Sequence, residues 1–312
     1  MNLLSRFRGS LLGLAVGDAL GAPVEFKPRG SFQPITDLNG GGPFNLKAGD
    51  WTDDTSLALC LAESLIEKRV FDPRDQAEKY VRWWREGYMS STGNCFDIGN
   101  TTKASLQRFM DQGNPYSGPT SPETGSNGSL MRLAPVPLFY YDIPRQAVEY
   151  SGLSSKVTHG ADEAVDSCRY LGALIVGALK GEKKETLISP RYEPEMGIWN
   201  EKPLTEKVDA VAAGSFRHLE PPEIRAQGSA VKTLEAALWG FTKGSSFEEG
   251  CLLAVNLGDD SDTVGAVYGQ LAGSYYGVQQ IPKKWINGLS KIDIIESTAK
   301  RLFEASQVHN SD

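Results

Sequence analysis

The sequence predicts an all-α fold, a single large orthogonal bundle of helices, on three observations. Apolar residues recur at helical spacing wherever a pattern can be read, alternating strand patterns are scarce, and strand-then-helix units of a doubly wound sheet are missing. Gly9, Gly13, Gly17 and Gly21, spaced four apart, line one face of a first helix with hydrogen atoms and let another helix approach closely. Alone, that run reads as a packing seam with Asp18 and Glu25 as solvated acids beside it. No strand precedes it, so it is a poor dinucleotide fingerprint. Residues 27–49 hold Pro28, Gly30, Pro34, Gly40, Gly41, Gly42, Pro43 and Gly49, which break helix and strand alike and predict a long mobile segment. Helices are then expected over 54–68, 74–86, 101–112, 161–180, 228–243, 247–257, 263–276 and 292–306. In 54–68, Leu57, Leu61, Ser64 and Leu65 share a face while Glu63, Glu67 and Lys68 fall elsewhere, the spacing of a half-buried helix. The more apolar 161–180 belongs near the centre. Residues 181–203, polar and broken by Pro190, Pro194 and Pro203, read as a surface excursion within one domain spanning 1–312.

Composition narrows the function classes. Of 312 residues, 40% are hydrophobic and 23% charged, enough apolar material for a large core and too little charge for disorder. With 32 Lys+Arg against 39 Asp+Glu, the net charge of -7 provides no global basic field for nucleic acid or anionic lipid. Nothing approaches the ~18 consecutive apolar residues of a membrane span. Arg6 and Arg8 ahead of the apolar run 10–17 imitate a signal peptide, but Asp18 interrupts that run before a cleavage site. Cys60, Cys95, Cys168 and Cys251 lie far apart, which argues against a zinc site or a disulfide framework and fits a reducing cytoplasm.

Chemistry concentrates in short clusters. Thr52-Asp53-Asp54-Thr55 stands where the glycine-rich segment ends and a helix begins. Helix capping accounts for one of its acids; two adjacent carboxylates flanked by threonines also present hard oxygen ligands suited to Mg²⁺, Mn²⁺ or Ca²⁺. Asp259-Asp260-Ser261-Asp262-Thr263 repeats the arrangement at another helix start. It is not an EF-hand, because Val264 and Gln270 occupy the sixth and twelfth positions counted from Asp259. Together the two clusters suit a pair of cations ~3.5–4 Å apart. Gly125-Ser126-Asn127-Gly128-Ser129, with free amides and hydroxyls, suits phosphate or sugar oxygens, or is a plain turn. His159, after Thr158, reads more simply as a structural histidine.

In this order, Gly13-x-x-x-Gly17-Asp18-x-x-Gly21-x-x-x-Glu25, Thr52-Asp53-Asp54-Thr55, Asn127-Gly128-Ser129 with Met131-Arg132, Thr158-His159, and Gly258-x-Asp260-x-Asp262-Thr263-x-Gly265 resemble the ADP-ribosylglycohydrolases of the dinitrogenase-reductase-activating type, over residues 6–290. The resemblance implies an all-α enzyme with two Mg²⁺ or Mn²⁺ ions, ligated by Thr52, Asp53, Asp54, Asp260, Asp262 and Thr263. It implies Glu25 as the catalytic glutamate beside a lid at 27–49, and Asp97 as a further acid near the ribose. Gly125, Ser126, Asn127, Gly128, Ser129 and His159 would bind the substrate. Asp259 departs from the pattern, standing where many relatives carry glycine.

The implied reaction is metal-dependent hydrolysis of the N- or O-glycosidic bond between ADP-ribose and a modified target. Partners would be ADP-ribose and an ADP-ribosylated protein or other substrate, with nucleic acid only if it bears the modification and no membrane. The lack of a heptad stretch or sticky terminus favours a monomer. The alternatives are a non-catalytic ADP-ribose-binding or crystallin-like relative, against which the intact ligand set argues, and a metal hydrolase of phosphate esters. The linkage cleaved, whether arginine, serine, nucleobase or O-acetyl, stays open, as does Mg²⁺ versus Mn²⁺. Trp83, Trp84, Tyr88, Phe96, Tyr275 and Tyr276 are candidates to stack on adenine, most of them expected in the core.

Overall fold

The computed structural model describes residues 2–309. Fifteen α-helices follow one another: α1 (Leu3–Gly21), α2 (Asp53–Lys68), α3 (Pro73–Glu86), α4 (Asn100–Gln112), α5 (Pro135–Phe139), α6 (Pro144–Lys156), α7 (Asp162–Leu179), α8 (Lys184–Leu187), α9 (Ile198–Glu201), α10 (Glu206–Ala213), α11 (Ala230–Lys243), α12 (Phe247–Val255), α13 (Ser261–Tyr276), α14 (Lys283–Gly288) and α15 (Ile292–His309). The described residues contain no strand; two isolated bridges join Gly41 to Leu46 and Ser126 to Ser229. Local chemistry sets many ends. Asp72 caps α3 through Arg74 and Asp75 N–H, Pro73 opens it, and Gly87 closes it in the left-handed conformation at φ +70°.

The feature that positions everything else is the seam between α1 and α13. A Cβ added at Gly9 would lie 2.2 Å from the Gly273 carbonyl oxygen, at Gly13 2.4 Å from that of Gly269, and at Gly17 2.0 Å from that of Gly265. The pairing runs antiparallel, and α13 answers with glycines at each level. Only hydrogen atoms fit between these backbones. At the end of the seam, a Cβ on Gly21 would sit 2.4 Å from Asp262 Cα, so the exit of α1 is fixed against the first turn of α13.

Around this seam one hydrophobic cluster extends in sequence from Phe7 to Ala305. Helix α7 is buried throughout Ala164–Leu179, as its apolar run predicts. Gln270, fully buried on α13, accepts from Ala134 N–H at 2.7 Å and donates to Met131 O at 2.6 Å, which ties the 130–134 segment to the seam helix.

Several expectations change. Helix α2 is not half-buried: Asp53–Ile66 are all inside, including Glu63, which Arg301 neutralises with two bonds of 2.7 and 2.9 Å. Helix α6 was not expected. Its inner face joins Pro144, Ala147 and Val148 to Ser151, Gly152, Ser154 and Ser155, so the apolar positions stop after one turn and leave no periodicity to read. Residues 181–203 are not merely a polar excursion, since α8 and α9 form there and Leu187 and Ile198 are buried. The run 10–17 lies inside α1 as core, and no described helix is long and apolar enough to cross a membrane.

Candidate active site

The seam delivers Glu25 to Asp262. From α1 the chain turns through Ala22–Val24 into Glu25, whose carboxylate lies with those of Asp97 and Asp262 in a group with oxygens within 4.8 Å of one another. A second such group is Asp18, Asp54 and Asp262. Glu25, Asp53, Asp54, Asp97, Asp260, Asp262 and Thr263 line one cavity of about 330 Å³, together with Ser126, Asn127, Gly128 and His159. The two Asp/Thr clusters, some two hundred residues apart, therefore share one space.

Capping does not explain these acids. Neither Thr52 nor Asp260, the N-cap residues of α2 and α13, makes a side-chain cap bond. The start of α2 is held instead by Asp18 from α1, which accepts Thr52 N–H at 2.9 Å, Thr55 N–H at 3.1 Å and the Thr55 hydroxyl at 2.6 Å. Asp18 is fully buried, so the expectation of a solvated acid fails. Its position in the middle of an apolar helical run was the signal: a charge there has to meet a partner. With capping done by Asp18, Asp53 and Asp54 are free to face the cavity.

Electrostatics sets this wall apart. Among the described residues no Lys or Arg lines the cavity. Burial, then the charges of Asp97, Asp260, Asp54 and Asp18, pushes Glu25 up to about 10. Burial, with Asp18 and Asp260 behind it, raises Asp97 to about 8, and burial raises Asp18 to about 6 against its hydrogen bonds. Asp53, Asp54 and Asp262 are held well above the usual carboxylate range by burial first and their acidic neighbours second. Glu25 Oε2, Asp54 Oδ1 and Asp262 Oδ1 are buried without a hydrogen-bond partner among the described residues. Unpartnered hard oxygens with no counter-charge suit divalent cations, and these acidic groups are close enough to hold them.

Other expected site residues fall in different places. Asn127 bridges the two kinds of cluster, donating from Nδ2 to Asp260 Oδ2 at 2.7 Å and to Thr233 Oγ1 at 2.8 Å. Thr52, Gly125 and Ser129 do not line the cavity. Thr52 is fully buried and donates to Asp54 Oδ2 at 3.1 Å. Ser129 is turned inward onto Ser155 at 2.7 Å, and Gly125 lines a neighbouring cavity of about 520 Å³ that shares Ser126 and Gly228 with the first.

None of the six candidate aromatics lines the main cavity; Phe26 does. Phe26 is 66% exposed and holds φ +61°, a left-handed conformation unusual for a bulky residue, fixed where its N–H bonds Asp259 O at 2.7 Å. Asp97 and Asp259 are also left-handed. Sequence reading missed Phe26 and the Asn100-Thr101-Thr102 run, whose amide and hydroxyls follow Gly99 at the start of α4. Residues 27–49 form neither helix nor strand, as their glycines and prolines predict, but are tied down at both ends, where Lys27 O accepts Asp259 N–H and Gly49 O accepts Ser290 N–H, and at two points between. Asn256 clasps the Ile35 backbone by bonds of 2.7 and 2.9 Å, and Asp37 accepts from Trp285 and Lys284, each at 2.8 Å.

Comparison with known proteins agrees with this geometry. An ADP-ribosylarginine hydrolase Tri1 of Serratia proteamaculans is 41% identical over 300 residues, spanning 96% of this chain and 79% of the relative. The ADP-ribosyl-[dinitrogen reductase] glycohydrolase of Rhodospirillum rubrum is 30% identical, covering 96% of this chain and 95% of its own. A solved structure described as an ADP-ribosylglycohydrolase-related protein complex superposes with a TM-score of 0.85 at 44% identity, over 98% of this chain and 99% of that one. The description of the ADP-ribosylglycohydrolase family matches residues 1–312 in full. The chain therefore belongs to the ADP-ribosylglycohydrolases, hydrolases that release ADP-ribose from a modified target.

Proposed function

We propose that this enzyme cleaves the N-glycosidic bond between ADP-ribose and an arginine side chain of a modified protein, with two Mg²⁺ or Mn²⁺ ions at its acidic wall. The observation that carries the reading is the convergence of six carboxylates on one cavity that no described Lys or Arg lines. The arginine linkage is supported by the relatives at 41% identity, which are named for it. The free cysteines agree with a reducing cytoplasm.

Breaking a bond at the anomeric carbon builds positive charge on the ribose, which surrounding carboxylates favour electrostatically. Asp53, Asp54, Asp260, Asp262 and Thr263 would hold the ions, with Thr52 steadying Asp54 from behind. Bound there, divalent ions supply Lewis acidity and a fixed frame for sugar hydroxyls. Glu25 is assigned the proton. Its carboxylate, grouped with those of Asp262 and Asp97 and with Oε2 unpartnered, would be ionised by bound cations; it can then take a proton from the attacking water and pass it to the departing guanidine nitrogen, which leaves with the bonding pair. Asp97, on the same group of oxygens, is assigned to the ribose. Ser126, Gly128 and His159, on the neutral part of the lining, face the rest of the nucleotide.

The test is hydrolysis of an ADP-ribosylarginine protein with Mg²⁺ or Mn²⁺, with chelator, and with Glu25→Gln. Free ADP-ribose is expected only with the cation, and a loss of about 10³-fold in Glu25→Gln. Wild-type turnover in that variant, or release of inorganic phosphate, overturns the assignment.

A further inference from the structure

His159 is 1% exposed and lines the cavity, and its Nδ1 lies 2.8 Å from Thr158 Oγ1. Its Nε2 bonds no described residue and abuts Gly128, where an added Cβ would lie 3.0 Å away. Hydrogen-bond accounting decides which nitrogen carries the proton. Arg132, also fully buried, donates from Nη2 to Thr158 Oγ1 at 2.6 Å. A guanidinium can only donate, so Oγ1 accepts there and keeps its own proton to give. His159 Nδ1 is the other polar atom bonded to that hydroxyl among the described residues, and it must accept. A proton on Nδ1 would strand the hydroxyl hydrogen in a dry interior, the costly alternative. The imidazole therefore bears its proton on Nε2, on the cavity side.

Arg132 is itself unusual. No carboxylate pairs with it among the described residues, its Nε and Nη1 have no partner, and its guanidinium carbon lies 4.3 Å from the centre of the Tyr80 ring. A buried cation without an acid is expensive to keep. It meets the hydroxyls of Thr158 and Tyr80, and its charge, one hydroxyl removed from the imidazole, polarises the chain of bonds through Thr158.

We propose that Arg132 and Thr158 are positioning residues that hold His159 as a neutral Nε2–H donor aimed into the cavity, where it binds an acceptor oxygen of the substrate and transfers no proton. The substrate half of this rests on the reading of the cavity as an ADP-ribose site. Burial, and after it the charge of Arg132, lowers the imidazole to about 3, which agrees with a ring that stays neutral.

The experiment joins ¹⁵N spectroscopy of the histidine rings to steady-state kinetics on the full chain. In the wild type, His159 should show a protonated Nε2 and a bare Nδ1, unchanged between about pH 5 and pH 8. Thr158→Val removes the hydroxyl at nearly equal volume. It should blur that signature and raise KM for an ADP-ribosylarginine protein about tenfold with kcat little changed, and Thr158→Ser should restore both. His159→Leu should raise KM at least as far, and His159→Gln, which returns an N–H near the same point, should recover part of the loss. A proton on Nδ1 in the wild type overturns the proposal, and this result needs no Thr158 variant to fold. So does a Thr158→Val enzyme with wild-type signature and KM, or a kcat that falls at least about a hundredfold in both His159→Leu and His159→Gln, as loss of a proton-transferring group would give. If the wild type does not hydrolyse ADP-ribosylarginine, the functional reading fails while the spectrum still decides the tautomer.

Discussion

Along the acidic part of the cavity, Glu25, Asp53, Asp54, Asp97, Asp260 and Asp262 crowd together, and among the described residues no Lys or Arg joins them and three of their buried oxygens lack partners. Along the neutral part, Asn127 spends both amide hydrogens on Asp260 and Thr233, and His159 is fixed by Thr158. The first wall is electrostatically unfinished, while the second is satisfied within the chain except for the His159 Nε2 it turns to the cavity. Unmet charge is kept where cations and developing positive charge are to be bound, and satisfied groups are kept where a shape is to be recognised. Three of the eight described non-glycine residues at positive φ, Phe26, Asp97 and Asp259, lie in or beside the acidic wall.

The sharpest way to break this contrast is Asp262→Asn, because Asp262 belongs to both carboxylate groups. Turnover should fall by about 10²–10³-fold, measured with saturating Mn²⁺, while the metal-free protein gains stability by roughly 1 kcal/mol in calorimetry as like-charge repulsion is relieved. A metal-free variant less stable than wild type would show that the wall is already balanced. Gly17→Ala tests whether the wall depends on the seam. Its Cβ would sit 2.0 Å from the Gly265 carbonyl oxygen, and a destabilisation of about 3 kcal/mol or more in denaturant titration is expected.

A smaller effect separates the walls by pH. Carboxyl groups raised in the folded chain, Asp97 to about 8 and Glu25 to about 10, keep protons that the unfolded chain has released. Their contribution is therefore greatest below the ordinary carboxylate range and is lost as pH climbs towards those raised values. The melting temperature of the metal-free protein should drop by roughly 5 °C between about pH 5 and pH 9, and Mg²⁺ or Mn²⁺ should reverse the drop. The smallest change belongs to Phe26→Ala, at the rim. A rise in KM of about fivefold with kcat retained is expected, as an exposed ring lost from the lining would give.

Much of this was legible in the residues. The four-residue glycine spacing of α1 announced a close helix contact, though not that Gly265, Gly269 and Gly273 would answer it from α13. The two Asp/Thr runs were visible as oxygen-rich helix starts, and the structure brings both to one cavity. What was not legible follows a physical pattern. Helix α6 packs its second half through serines and glycine, so beyond Ala147 and Val148 its buried face leaves no apolar signature. Asp18 acts on residues 34 and 37 positions away, a partnership no local rule encodes. Ser129 and Gly125 sit in the same short run as Ser126 and Gly128, and only the turn of the backbone decides which face the cavity.

The seam also governs when the centre comes into being. Gly17 and Gly265 are separated by most of the chain, and closing so long a loop precedes any reward from the contact it makes. A half-made chain thus carries the first acidic run without the second, and a partly folded one carries both yet holds them apart, so that catalytic competence arrives late and all at once, as a signature of finished assembly.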